Sequence, residues 1–109
     1  MLPEPIVSPE AEAQIETIDT WWRRNRPAAP DLFREELASA AITIRTLPQM
    51  GHRVRHRVVK GLRRVLLRAS RYHVYYVVHA DTIHVLSVWS AVRGSGPRLS
   101  PPAEAPVVP

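Results

Sequence analysis

The segment from Gly61 to Arg93, GLRRVLLRASRYHVYYVVHADTIHVLSVWSAVR, holds three runs of aliphatic, β-branched and aromatic residues: Leu62 to Arg68, Tyr72 to His79 and Thr82 to Trp89. Only short polar breaks separate them, which is the pattern of an antiparallel meander. In the middle run Tyr72, Val74, Tyr76 and Val78 alternate with His73, Tyr75, Val77 and His79, so both faces of that strand carry large side chains. Such a strand belongs in the centre of a sheet with cover on both faces. The rest of the chain therefore reads as cover for this sheet, and the arginines around it as what the sheet presents.

Upstream, Ile6 and Val7 between Pro5 and Ser8 fit a short edge strand. Ser8 followed by Pro9 is a helix start, a hydroxyl cap before proline at the first helical position, and Glu10 and Glu12 suit the positive end of the dipole. Ala11, Ile15, Ile18 and Trp22 form one apolar stripe, so this helix is predicted to run to about Arg24. After the connection NRPAAP, residues Leu32, Phe33, Leu37, Ala40, Ile44 and Leu47 mark a second amphipathic helix, ended by Pro48 and released by Gly51. Two such helices joined by a short loop make an antiparallel hairpin able to cover one sheet face. The expected fold is α+β in the order β-α-α-β-β-β, with the hairpin packed on a small antiparallel sheet. In HRVRHRVVK, Arg53, Arg55 and Arg57 alternate with Val54, His56 and Val58, and an extended backbone would project them as a comb.

With 109 residues there is room for one domain. The reading assigns residues 1–98 to it and 99–109 to a Pro-rich tail; from Gly94 onward five prolines and two glycines interrupt any periodicity, so little packing is expected. The absence of cysteine excludes a disulfide framework and a thiolate metal site. No apolar run approaches the ~20 residues of a membrane span, and Met1 to Ser8 lacks the basic start and apolar stretch of a signal peptide. A soluble, cytoplasmic protein without cofactor is expected.

Charge is distributed unevenly. Residues 1–50 hold five Lys/Arg and eight Asp/Glu, whereas residues 51–109 hold ten and two. No acidic residue lies between Glu36 and Asp81, a window that contains Arg45, Arg53, Arg55, Arg57, Lys60, Arg63, Arg64, Arg68 and Arg71. A basic surface of this kind implies an anionic partner, either nucleic acid or an acidic protein segment.

Several stretches together resemble the RelE/ParE superfamily of type II toxins, the ParE branch most closely. They are SPEA at Ser8 to Ala11, Trp21-Trp22 before Asn25-Arg26-Pro27, Leu47-Pro48, GLRRV at Gly61 to Val65, YHVYYVV at Tyr72 to Val78, and IHVLSVWSAVR at Ile83 to Arg93. The resemblance spans about residues 6 to 98 and implies two helices packed on a small antiparallel sheet. It also implies a toxin of the plasmid-stabilisation kind, held in a hetero-oligomer by a cognate acidic antitoxin. ParE-like members poison DNA gyrase, and RelE-like members cut mRNA in the ribosomal A site.

Metal-free RNA cleavage needs a base for the 2′-hydroxyl, cations against the phosphorane and an acid for the leaving oxygen. By resemblance to RelE-like nucleases the strand position falls on His73, with Arg64 and Arg93 as its cationic partners, but no Tyr or His follows Arg93. That absence favours gyrase over RNA, and a lone strand histidine is also an ordinary sheet residue. Target contacts are expected at Arg53, Arg55, Arg57, Lys60, Arg63, Arg64 and Arg93, although a solvated basic face is the bland reading of any one of them. Arg93 could instead pair with a helix carboxylate such as Asp19. Antitoxin contacts are expected at Trp21, Trp22 and Arg71; Trp22 also continues the helix stripe, whereas Trp21 sits off it. His52/His56 and His79/His84 lack the companion ligands of a metal site.

Overall fold

The computed structural model describes residues 1–92 and 94–102. Its elements are β1 (Ile6–Val7), α1 (Pro9–Asn25), α2 (Leu32–Thr46), β2 (His52–Arg53), β3 (Arg63–Leu67), β4 (Tyr72–His79) and β5 (Thr82–Ser90). The fold is α+β, two helices packed on one five-stranded sheet of order β1-β5-β4-β3-β2. The meander forms as expected, with β4 central.

Two features differ from the sequence reading. The sheet is mixed, because β1 pairs with β5 in parallel, Ile6 beside His84 and Val7 beside Val85. The helix hairpin carries the chain away before the meander begins, and the meander's last strand arrives beside β1 running the same way. A further strand, β2, pairs His52 with Arg64 and Arg53 with Arg63.

The local chemistry explains the helices. The Ser8 hydroxyl accepts the Ala11 amide at 3.1 Å, capping α1 one residue before Pro9. The stripe of Ala11, Ile15, Ile18 and Trp22 is buried against Phe33, Leu67, Val74, Val85 and Val88. Asp31 precedes α2, whose Phe33 and Ile44 are buried. The hairpin is clamped by Arg34, which reaches Glu16 at 2.9 Å and Asp19 at 3.2 Å, and by Arg23, which reaches Asp19 at 3.2 Å and Asp31 at 2.7 Å. Burial works against the Asp19 charge, but hydrogen bonds and charge from Arg23 and Arg34 prevail and hold its carboxyl below the usual range.

The second sheet face is covered without a helix. Val59, Leu62, Tyr75, Val77 and Leu86 form a cluster there, with Val54, Trp89 and Leu99 against it. Trp89 donates its indole N–H to the Ser95 carbonyl at 2.8 Å, so the segment after β5 folds back over this face. The expectation that this segment packs little fails for Ser95 and Leu99, because an apolar sheet face with no helix on it needs other cover. Residues 103–109 of the Pro-rich tail lie outside the described residues.

Candidate functional site

The face away from the helices carries a group of polar side chains. Register decides which: Arg64 stands opposite both His52 and Tyr75, and Leu66 stands opposite His73. Directly opposed residues share a face, as do residues two apart on one strand. His52, Arg64, His73 and Tyr75 therefore lie on one side of β2, β3 and β4.

Within this group, Arg64 Nη1 donates to the Tyr75 hydroxyl at 3.3 Å. The His73 ring meets Tyr75 edge-on, with centroids 6.0 Å apart. Burial first, and then the charges of Arg64 and His52, push the His73 imidazole below its ordinary pKa of 6.5. His73 is accordingly neutral at pH 7, a proton acceptor beside a guanidinium. No carboxylate belongs to this group.

Along β2 and the loop that leads to β3, Arg53, Arg55, Arg57 and Lys60 are all exposed, and Arg53, opposite Arg63, lies on the other sheet face from Arg64. The expected comb does not form. Only His52–Arg53 is extended, because the His56 Nδ1 accepts the amides of Val58 at 3.2 Å and Val59 at 3.0 Å and folds the chain into a turn. That turn buries Val59 and Leu62 on the sheet and leaves the cations spread along a loop.

The other expected site residues divide. Arg63 faces away from Arg64, and its guanidinium donates to the carbonyls of Gln49 and Gly51 at 2.9 and 2.8 Å and to Gln49 Oε1 at 2.8 Å. It anchors the α2–β2 connection. Trp22 is 7% exposed and donates to the Ala29 carbonyl at 2.9 Å, so it is a core residue rather than a partner contact. Trp21 is 45% exposed with the Arg26 guanidinium 5.3 Å from its ring centroid, and it lines a groove with Tyr72 and Trp89. Arg71, at φ 66° in the β3–β4 turn, is exposed next to Tyr72. Arg93 lies outside the described residues. Among the described residues no group of three or more His, Cys, Asp or Glu could hold a metal ion.

A family model for the ParE toxin of type II toxin-antitoxin systems, parDE, matches residues 6–93. The chain belongs to the ParE toxin family. No curated protein matches it. As a toxin of a type II toxin–antitoxin system, it has an antitoxin for a partner. No helix among the described residues is long and apolar enough to cross a membrane.

Two members of the ParE-family toxin's polar group were not singled out as site residues from the sequence. Tyr75 sits in an apolar run and is 5% exposed, so composition alone marks it as core. His52 stands twelve residues before Arg64, and only β2–β3 pairing makes them neighbours. Alternation along the middle strand puts His73 and Tyr75 on one face, and nothing in the sequence puts Arg64 opposite Tyr75.

Proposed function

We propose that this ParE-family toxin inhibits DNA gyrase by binding rather than by covalent chemistry of its own, and that a cognate acidic antitoxin neutralises it in the bacterial cytoplasm. The observation that carries the reading is the exposed cationic set Arg53, Arg55, Arg57 and Lys60 along β2 and the loop to β3, within a stretch that holds no acidic residue between Glu36 and Asp81. Such a surface attracts an anionic partner and accelerates its docking. Arg93 belongs to the same contact in this reading.

The test is induction of the toxin alone in a bacterium, followed by supercoiling and cleavage assays with purified gyrase. Trapped gyrase cleavage complexes with intact mRNA support the reading, and normal gyrase in growth-arrested cells overturns it. No growth defect points to an inactive homologue that only binds the antitoxin.

One observation favours a second reading, ribosome-dependent mRNA cleavage. A neutral His73 lies beside Arg64 and the Tyr75 hydroxyl. His73 would take the 2′-hydroxyl proton while Arg64, with Arg93, offsets charge on the phosphorane, and the 5′-oxygen that leaves would take its proton from water. Codon-position cuts abolished by His73→Gln would establish it.

A further inference from the structure

We propose that the groove between α1 and the end of β5 is a site for an unpaired nucleotide. Its base lies against Trp21 and Tyr72 with the Watson–Crick edge on the Val88 carbonyl and the Ser90 amide, and its phosphate meets Arg26 and Arg71. The groove is on the helix side of the sheet, where Tyr72 stands opposite Ser90 and Val74 opposite Val88, and so is separate from the polar face around Arg64.

The first argument is an aromatic cleft with held walls. Thr17 and Trp21 of α1, Tyr72 of β4, and Val88 and Ser90 of β5 line a cavity of about 500 Å³. Sites for small ligands occupy roughly 300–1,000 Å³. Trp21 is 45% exposed, yet its ring is supported from behind by the Trp22 ring at 6.0 Å and the Arg26 guanidinium at 5.3 Å. The Tyr72 ring meets buried Phe33 edge-on at 5.6 Å. Rings held in this way offer a stacking surface at little cost in side-chain freedom, and any base has a face to stack.

The second argument is a donor–acceptor pair on the floor of the cleft. The Ala91 amide donates inward to the Arg71 carbonyl at 2.9 Å, whereas the Val88 amide donates outward to Gln14 Oε1 at 2.8 Å. Backbone direction alternates along a strand, so Val88 and Ser90 both turn their backbone groups away from β4. The edge strand β1 ends at Val7, beside Val85, and Ser8 reaches only the Val85 and Leu86 carbonyls. The Val88 carbonyl and the Ser90 amide therefore face the groove with no partner among the described residues. Every base carries a donor next to an acceptor on its Watson–Crick edge, which this pair can read. A duplex already uses that edge, so the site selects an unpaired base.

Charge places the phosphate. Arg24 and Arg26 at the end of α1 and Arg71 beside Tyr72 are exposed, and none forms an ion pair among the described residues. Arg24 shares a helix face with Thr17 and Trp21. The carboxylates of α1 lie elsewhere. Glu16 and Asp19 are engaged by Arg34, and Asp19 also by Arg23. Glu10 shares the Trp21 face but stands roughly 16 Å away along the helix axis. A phosphate is drawn to the arginine end of the groove, which leaves the base over Val88 and Ser90.

The experiment titrates the full, isotope-labelled chain with adenosine monophosphate, with an oligodeoxyadenylate and with the same oligonucleotide annealed into a duplex. NMR follows the Trp21 indole and the Ser90 amide. Saturable shifts at both are expected with the monophosphate, the single strand or both, and the tighter arm identifies a free nucleotide or a strand as the source. Trp21→Ala, and Ser90→Pro, which removes the outward amide, should each weaken binding at least tenfold. Trp21 is an exposed position, so unchanged thermal unfolding of its variant assigns the loss to the site. Three results overturn the proposal: no shift at Trp21 and Ser90 with either single-stranded probe, the same shifts from the duplex at equal affinity, or a Trp21→Ala chain that binds like the parent. The gyrase reading stands in each case, because it rests on the loop from Arg53 to Lys60.

Discussion

The hydroxyl of Tyr76 accepts the Gly51 amide at 3.0 Å and donates to the Pro48 carbonyl at 2.9 Å, so the central strand holds the chain where it leaves α2. A Cβ on Gly51 would run into that hydroxyl, which explains glycine at this position. Arg63 grips the same turn through Gln49 and Gly51, and β2 follows directly. The β2 strand, and with it the position of His52 beside Arg64, depends on this buried anchor.

Tyr76→Phe leaves the Gly51 amide without its partner and should destabilise the chain by about 1–3 kcal/mol. Urea unfolding measures it. A variant as stable as the parent would mean that the anchor contributes nothing to the fold.

The β4–β5 turn contains a local conflict. Ala80 at φ 49° and Asp81 at φ 60° both adopt a left-handed conformation that side chains disfavour. Such a pair suits a two-residue hairpin turn, for which glycine or asparagine is preferred. Ala80→Gly should raise stability by about 0.5–1 kcal/mol, the relief of the left-handed penalty less the added chain entropy of glycine. Calorimetry should show a higher Tm with unchanged toxicity.

Acid should unfold the chain through identifiable carboxylates. The pKa of Glu36 lies below its ordinary 4.5: burial opposes the charge, but hydrogen bonds from Ser70 and the Ala69 and Ser70 amides prevail. Asp19 is likewise held below 3.8. A lowered folded pKa means that the unfolded chain binds more protons, so these contributions are complete above the ordinary values and vanish as pH falls through the folded ones. Denaturant titrations between pH 5 and pH 2 should show a shallower loss of stability for Glu36→Gln than for the parent.

His73 titrates in a separate window. Its folded pKa is depressed, so the stability it brings is present above pH 6.5 and declines as pH falls toward the folded value. Burial remains in Arg64→Gln while the neighbouring charge is removed, so the His73 pKa should move part of the way back up. Ring-proton NMR titration of both chains reads the shift. An unmoved His73 would separate the two residues electrostatically and weaken the ribonuclease reading.

Charge reversal tests the exposed face. Arg55→Glu with Arg57→Glu alters a surface loop, and stability should change by less than about 0.5 kcal/mol. Toxicity on induction should fall at least tenfold, and target binding should weaken with added salt in the parent more steeply than in the variant. Full toxicity in the double variant would remove the loop from the target contact.

The sequence by itself determined the elements. Period-2 runs with short breaks specify a meander, the Ser8-Pro9 start and the spacing of Ala11, Ile15, Ile18 and Trp22 specify α1, and the acid-free window specifies a basic half. These signals are local: each depends on residues within one or two turns of one another. The tertiary structure decided what pairing and burial settle over longer separations. It set β1 parallel to β5, bent the expected comb at His56, turned Arg63 inward to a backbone anchor and placed Trp22 in the core. It also joined Arg64 to Tyr75, because a hydrogen-bonded register between strands puts residues eleven apart in sequence on one face. Periodicity states which residues share a face of one strand; only register states which faces meet.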